Sequence, residues 1–178
     1  NAFSNWMDGS GPENDIVVSS RIRVARNLAS FPFPHMLDVD KADEVIHGVV
    51  LALRNEKVKD NSGYFESVRM RELGSIDRQI LVEKHLISPD LLKDYNKKAV
   101  AIRDDEIVSI MINEEDHLRI QCLLPGLKLE SAWDYVNKLD EGLEKTLDYA
   151  FCENTGYLTA CPTNVGTGLR ASVMVHLP

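Results

Sequence analysis

Apolar residues in this 178-residue chain recur with two periods, two and about 3.6, and the switches between them mark out the elements. A short amphipathic start, Phe3 to Met7, runs into the breaker cluster Gly9-Ser10-Gly11-Pro12. Ile16 to Val24 is rich in β-branched residues and predicts a strand. Asp40 is placed to cap a helix running to about Glu56, with Val45, Val49, Ala52 and Leu53 on one face. Tyr64 to Met70 predicts a strand, and Ser75 opens a short helix reaching about His85. Ser88-Pro89-Asp90 combines a capping residue, a proline suited to the first helical position and an early acid, so another short helix is expected. Ala99 to Arg103 and Glu106 to Asn113 are apolar runs separated by Asp104-Asp105, a hairpin signal. Leu118 to Leu124 predicts a further strand, stopped by Pro125-Gly126. Leu129, Ala132, Trp133, Val136, Leu139, Leu143, Leu147 and Ala150 share one stripe, which predicts the longest helix. Tyr157 to Ala160 and Arg170 to His176 predict strands around a glycine-containing loop. Strands joined partly by hairpins, with helices between them, give an α+β class with a largely antiparallel sheet flanked by helices.

The length suits one domain with a sizeable core. With 44% hydrophobic and 27% charged residues, the composition is that of a soluble globular protein. There is no internal repeat, low-complexity segment or visible signal peptide. No apolar run approaches the roughly 20 residues of a membrane helix, so no membrane partner is expected. Cys122, Cys152 and Cys161 are few and odd in number, which makes a reducing cytoplasm the simpler setting. A net charge of -8 argues against direct nucleic-acid binding and mildly favours basic partners.

Three blocks carry the candidate chemistry: Ser19-Ser20-Arg21-Ile22-Arg23, Asn113-Glu114-Glu115-Asp116-His117-Leu118-Arg119, and Cys161 to Ser172. Arg21 and Arg23 are two apart, so on a strand they project from the same face, as a phosphate cradle on a sheet requires. Taken singly, Arg21, Arg23, Arg119 and Arg170 read equally well as surface arginines. Glu114-Glu115-Asp116 reads as a solvated turn or as a source of carboxylates for proton transfer. Glu114 should point away from Glu115 if the segment stays extended. Cys161 is either a reactive thiol or a small core residue at a strand end. His85, near a helix end, is either a dipole partner or a ligand. Gly166 and Gly168 free the backbone for tight turns, with amides available for an anion nest. No Gly-Lys-Ser/Thr follows them, so the loop is not of the Walker type. Arg26, His35, His47 and His117 carry no assignment.

Taken together and in this order, the three blocks resemble the guanidino-kinase (phosphagen kinase) family, which moves phosphate between ATP and a guanidinium group. The resemblance is strongest to its bacterial branch, the protein-arginine kinases, and runs from about Trp6 to Pro178. It implies the fold of that family's catalytic domain, with residues 1–178 forming its N-terminal part. The remainder of the domain would then be absent, including another arginine and a second carboxylate, together with a C-terminal domain. It implies ATP as phosphate donor, with Mg²⁺ held mainly through phosphates and water and no dedicated protein ligands. Arg21, Arg23, Arg119 and Arg170 would contact the phosphates. Ser19, Ser20, Ile22, His85, Ala171, Ser172, Val173 and Met174 would lie along the nucleotide pocket. Glu115 would be the catalytic carboxylate, and Cys161 would sit beside the guanidinium. The product would be phosphoarginine on proteins, marking them for a Clp-type protease and acting on a stress-gene repressor. Partners would be arginine-bearing substrates, an activator protein, the Clp machinery and a second copy of the chain in a homodimer. Two alternatives stay open: a small-molecule guanidino kinase, and a non-catalytic nucleotide-binding or adaptor module. Small-molecule relatives carry an extra helical domain, for which the residues ahead of Ser19 leave no room unless a large upstream piece was removed.

Overall fold

The β-branched run after the breaker cluster forms β1 (Val17–Arg26), the strand around which the sheet is built. The computed structural model describes residues 3–177. After β1 come α1 (Val39–Arg54), α2 (Glu56–Ser62), β2 (Phe65–Arg69) and α3 (Ser75–Glu83). The chain continues through β3 (Ala99–Arg103), β4 (Val108–Ile112), β5 (Leu118–Pro125) and α4 (Leu129–Glu144). It ends with a two-residue ribbon, β6 (Phe151–Cys152) and β7 (Gly156–Tyr157), and with β8 (Leu169–Val175). The main sheet has the order β2-β3-β4-β5-β1-β8, and every pairing in it is antiparallel. The α+β expectation therefore holds.

The two faces of the sheet are treated differently. One buries Ile22, Val24, Ala99, Ala101, Ile110, Ile112, Ile120 and Cys122 against α1, α2 and α4. Val45, Val49, Ala52 and Leu53 of α1 and Ala132, Val136, Leu139 and Leu143 of α4 complete that core. The other face is covered only in part. Val100 and Met111 pack there with Met70, Ile87 and Leu91, and Leu81 and Val82 of α3 lie against them. This explains why every residue of β4 is buried whereas β1 alternates over Ser20–Val24.

Several boundaries differ from the sequence expectation for local reasons. Asp38, not Asp40, caps α1: its carboxylate accepts the Lys41 amide at 2.8 Å, leaving Asp40 in the first turn. The helix stops at Arg54 because extended Asn55 caps α2, which takes over the rest of the segment. Ser88 does not cap the Pro89–Leu92 turn, and its hydroxyl donates to Glu114 instead. The stripe on α4 excludes Trp133, which is 37% exposed, and Leu147 and Ala150 fall beyond the helix. At 16 residues α4 shares its length with α1. The strand expected over Tyr157 to Ala160 shrinks to β7, because Asp116 captures the Ala160 amide.

The turn before β5 is anchored by buried polar groups. Asn113 takes a left-handed backbone (φ 60°), and its amide side chain donates to Ala42 O and Lys97 O. His117 is fully buried; its Nδ1 accepts the Leu28 amide at 2.9 Å, so Nε2 carries the proton and donates to Pro32 O. Burial holds the imidazole below the ordinary histidine value, against the opposing pull of Pro32 O and Asp116.

Two outcomes follow. Ile110→Ala, at a fully buried position, should cost about 2–5 kcal/mol in urea unfolding, whereas Ile76→Ala at a 74% exposed site should stay within about 0.5 kcal/mol. His117 has a lowered folded-state value, so the unfolded chain binds its proton first as pH falls. Stability should decline as pH drops below about 6.5, and His117→Gln should flatten that part of a melting-temperature profile. An unchanged slope in the variant would assign the decline to other groups.

Candidate functional site

Directly opposed residues of an antiparallel pair share a face. Arg23 lies opposite Arg170, Arg21 opposite Ser172, and Ala25 opposite Arg119. The four arginines drawn from three separated sequence blocks therefore project from one face, over the half of the sheet that α3 leaves open. Arg21 Nε reaches Ser172 Oγ at 3.4 Å. Ile22 and Ser20 alternate to the opposite face, where Ile22 joins the main core and the Ser20 hydroxyl bridges Gly126 O and the Lys128 amide. Ala171 and Val173 are opposed to Ile22 and Ser20, so their side chains also leave the arginine face. Of the expected pocket strand, Ser172 is in phase with the arginines; Met174 is opposed to the buried Ser19.

Two hollows meet at Arg23. The smaller, of about 180 Å³, is lined by Arg23, Glu115, Arg119, Cys161, Asn164 and Arg170 among others. The larger, of about 330 Å³, carries Arg21, Arg23 and His85 beside Val82, Ile87 and Met111. A separate hollow of about 310 Å³ between α1 and β2 contains none of the expected site residues.

The electrostatics of the arginine face are one-sided. Among the described residues, Arg21, Arg23 and Arg170 make no ion pair. Burial, joined by repulsion from Arg21, Arg119 and Arg170, pushes Arg23 down to about 10. Arg21 is lowered by burial and by Arg170 and Arg119. Burial and Arg21 lower His85 as well, favouring its neutral form. A half-buried cluster of mutually repelling cations is a site that gains when a multiply charged anion enters.

The glutamates do not part as an extended segment would require. The left-handed Asn113 and the bend after it bring both carboxylates to Arg119. Glu114 Oε2 sits 2.5 Å from Nη1 and Glu115 Oε2 sits 3.2 Å from Nη2. Glu114 is the buried partner, and Ser88 Oγ adds a hydrogen bond to it at 3.2 Å. Glu115 is 44% exposed and faces the smaller hollow, opposite Cys161. The Cys161 thiol lies 2.9 Å from Thr163 Oγ1.

Residues without a sequence assignment hold this arrangement together. Buried Asp116 accepts the Asn27 side-chain amide and the Ala160 backbone amide, both at 2.7 Å, and Asn27 Oδ1 accepts the His117 amide. One carboxylate thus ties the segment bearing Glu115 to the segment leading into Cys161. Arg26 is also buried, at 4% exposure; it pairs with Asp140 at 2.7 Å, donates to Thr167 O and lies 3.6 Å over the Tyr157 ring. It fixes the loop from which Arg170 departs. Gly168 in that loop has φ 64°, and a Cβ there would lie 2.6 Å from Ala25 O. The Gly166 amide is occupied by Tyr157 O, which removes it from the expected anion nest. Adjacency to Glu115 was a signal for Asp116 and His117; Asn27 offered none.

Comparison with known proteins agrees with this geometry. Residues 44–178 match the family model described as ATP:guanido phosphotransferase, C-terminal catalytic domain. The chain is 64% identical over 178 residues to a protein-arginine kinase of Pelotomaculum thermopropionicum, covering 100% of this chain and 50% of the relative. It is 58% identical over 178 residues to the protein-arginine kinase of Desulforamulus reducens, with the same coverage. The chain thus spans about half the length of the curated relatives it matches. Its fold is shared with the duplicated taurocyamine kinase from Schistosoma mansoni with bound transition-state-analogue components, at a TM-score of 0.84 and 22% identity over 99% of this chain and 25% of that one. A lombricine kinase gives a TM-score of 0.77 at 23% identity, over 99% of this chain and 52% of that one. The family match covers most of the sequence and includes the acidic block, Arg119, Cys161 and Arg170, and so the chain belongs to the ATP:guanido phosphotransferase family.

Proposed function

We propose that the intact protein transfers the γ-phosphoryl group of ATP to the guanidinium of an arginine held in a protein chain. The observation that carries the reading is the cluster of Arg21, Arg23, Arg119 and Arg170 on one open sheet face, with Glu115 and Cys161 across the same hollow. The four guanidiniums form a donor set suited to triphosphate oxygens. The larger hollow, walled by Val82, Ile87 and Met111 and carrying His85, suits the nucleoside, and the smaller one the acceptor guanidinium. Mg²⁺ would neutralise phosphate charge when bound. Such an ion would be held mainly through phosphate oxygens and water.

A protonated guanidinium is a poor nucleophile because its lone pairs are delocalised. Glu115 can hold two of its N–H groups and accept one proton as the N–P bond forms and the bond from the γ-phosphorus to the bridging oxygen breaks, leaving ADP. Arg119 is shared between Glu114 and Glu115, so the same cation aims the acid and receives the phosphates. Cys161 would flank the guanidinium, with Asp116 keeping the thiol segment in reach of Glu115 through Ala160. Protein substrates are favoured over metabolites by the relatives at 64% and 58% identity, both protein-arginine kinases, whereas the taurocyamine and lombricine kinases, at 22% and 23%, share the fold alone. The resemblance extends the reading to substrates destined for a Clp-type protease, a stress repressor and an activator protein in the cytoplasm.

In the intact enzyme, Glu115→Gln should lower kcat about 10²- to 10⁴-fold while nucleotide affinity changes little. Glu114→Gln should cost less in kcat and act mainly through the nucleotide KM, because it loosens Arg119. Rapid phosphoarginine formation by Glu115→Gln would remove that residue from proton transfer. A competition assay with radiolabelled ATP decides the acceptor: kcat/KM for a basic protein should exceed that for free L-arginine. Equal or better use of free arginine would favour the small-molecule kinase.

A further inference from the structure

We infer that Trp6 is a positioning residue for the nucleoside end of the cleft, acting through His85; the inference rests on the nucleotide reading above. Trp6 lies in a 3-10 turn (Asn5–Met7) that straps across the segment joining α3 to the Pro89–Leu92 turn. Its indole Nε1 donates to Lys84 O at 2.9 Å, and its ring lies 4.8 Å from the His85 ring at an angle of 47°. Asn5 fastens the same turn by donating to Asp105 O at 2.6 Å. The strap is thus tied on both sides of the Lys84–Glu106 ion pair, in which Nζ sits 2.9 Å from each carboxylate oxygen.

His85 needs such support. Its backbone is left-handed (φ 59°), uncommon for a residue with a Cβ. Its position past the end of α3 leaves its ring outside any helix. Gln121 holds the His85 carbonyl at 2.7 Å, but among the described aromatic contacts only the Trp6 ring meets the His85 ring, in a tilted arrangement. Trp6 belongs to neither apolar core. Its turn lies against β1 and β5, so it ties the His85 segment to the strands that carry Arg21 and Arg119.

The test is a double-mutant cycle in the intact protein, reading the MgADP dissociation constant by calorimetry and both KM values by phosphoarginine formation. Trp6→Ala should weaken MgADP about tenfold and raise the ATP KM, with the KM for the protein substrate within about twofold of wild type. In a His85→Ala background, Trp6→Ala should add little further loss. Trp6→Phe, which keeps a ring over His85 and drops the N–H, should recover much of the affinity. If the alanine variant fails to fold, Trp6→Leu, which keeps apolar bulk and removes the ring, carries the test with the same expected loss. Unchanged MgADP affinity in Trp6→Ala or Trp6→Leu, or full multiplication of the two single effects, would overturn the role of Trp6 and leave the nucleotide reading standing. Failure of the wild-type protein to bind MgADP would overturn both.

Discussion

The site depends on the register of β1 between β5 and β8. Side chains on a strand alternate with a period of two, so a slip of one residue would exchange the two faces. Here that would drive Arg21 and Arg23 into the core formed with α4 and expose Ile22 and Val24. Burying unpaired guanidiniums is far more costly than any loss a slipped ladder could offset. The apolar residues that fix the register and the cations that use it are neighbours in one strand. Stability and site geometry are therefore set by the same pairing.

Burying cations, and then crowding them, has its own cost, visible in the lowered values of Arg21 and Arg23. The fold limits that cost without removing it. Arg119 is paired with Glu114 and Glu115, while Arg21, Arg23 and Arg170 make no ion pair among the described residues. Two buried networks hold the segments around the cleft. Asp116 and Asn27 hold the acidic bend and the approach to Cys161, and Arg26 with Asp140 holds the approach to Arg170. Fully buried polar groups of this kind specify one arrangement of loops, because any other leaves them unpaired.

Much of this was legible in the sequence. The α+β class, the order of the elements and the shared face of Arg21 and Arg23 follow from periodicity alone. The convergence of Arg119 and Arg170 with them does not, because it depends on non-local pairings that neither block encodes. Boundaries failed where a side chain found a partner far away in sequence. Ser88 was drawn from its helix start by Glu114, and Ala160 from its strand by Asp116. The wrong direction for Glu114 had a similar source: one left-handed residue, Asn113, breaks the alternation on which the expectation rested.

The cleft sits at the border between the covered and open halves of one sheet face, and that placement explains its two-part character. Met70, Ile87, Leu91, Val100 and Met111 form a small core under α3, and its edge supplies the apolar wall of the larger hollow. Beyond Arg23 no helix lies over this face of the sheet among the described residues, and the loop after β7 supplies polar walls to the smaller hollow. On the proposed reading, a nucleoside and a phosphorylated guanidinium make opposite demands, the first for an apolar slot and the second for charge on several sides. A fully covered sheet would exclude the charge, and a fully open one would leave no slot. In the described residues both kinds of wall border one sheet. The Ser88–Glu114 hydrogen bond then joins the apolar wall to the acidic bend, so neither part of the cleft is positioned independently of the other.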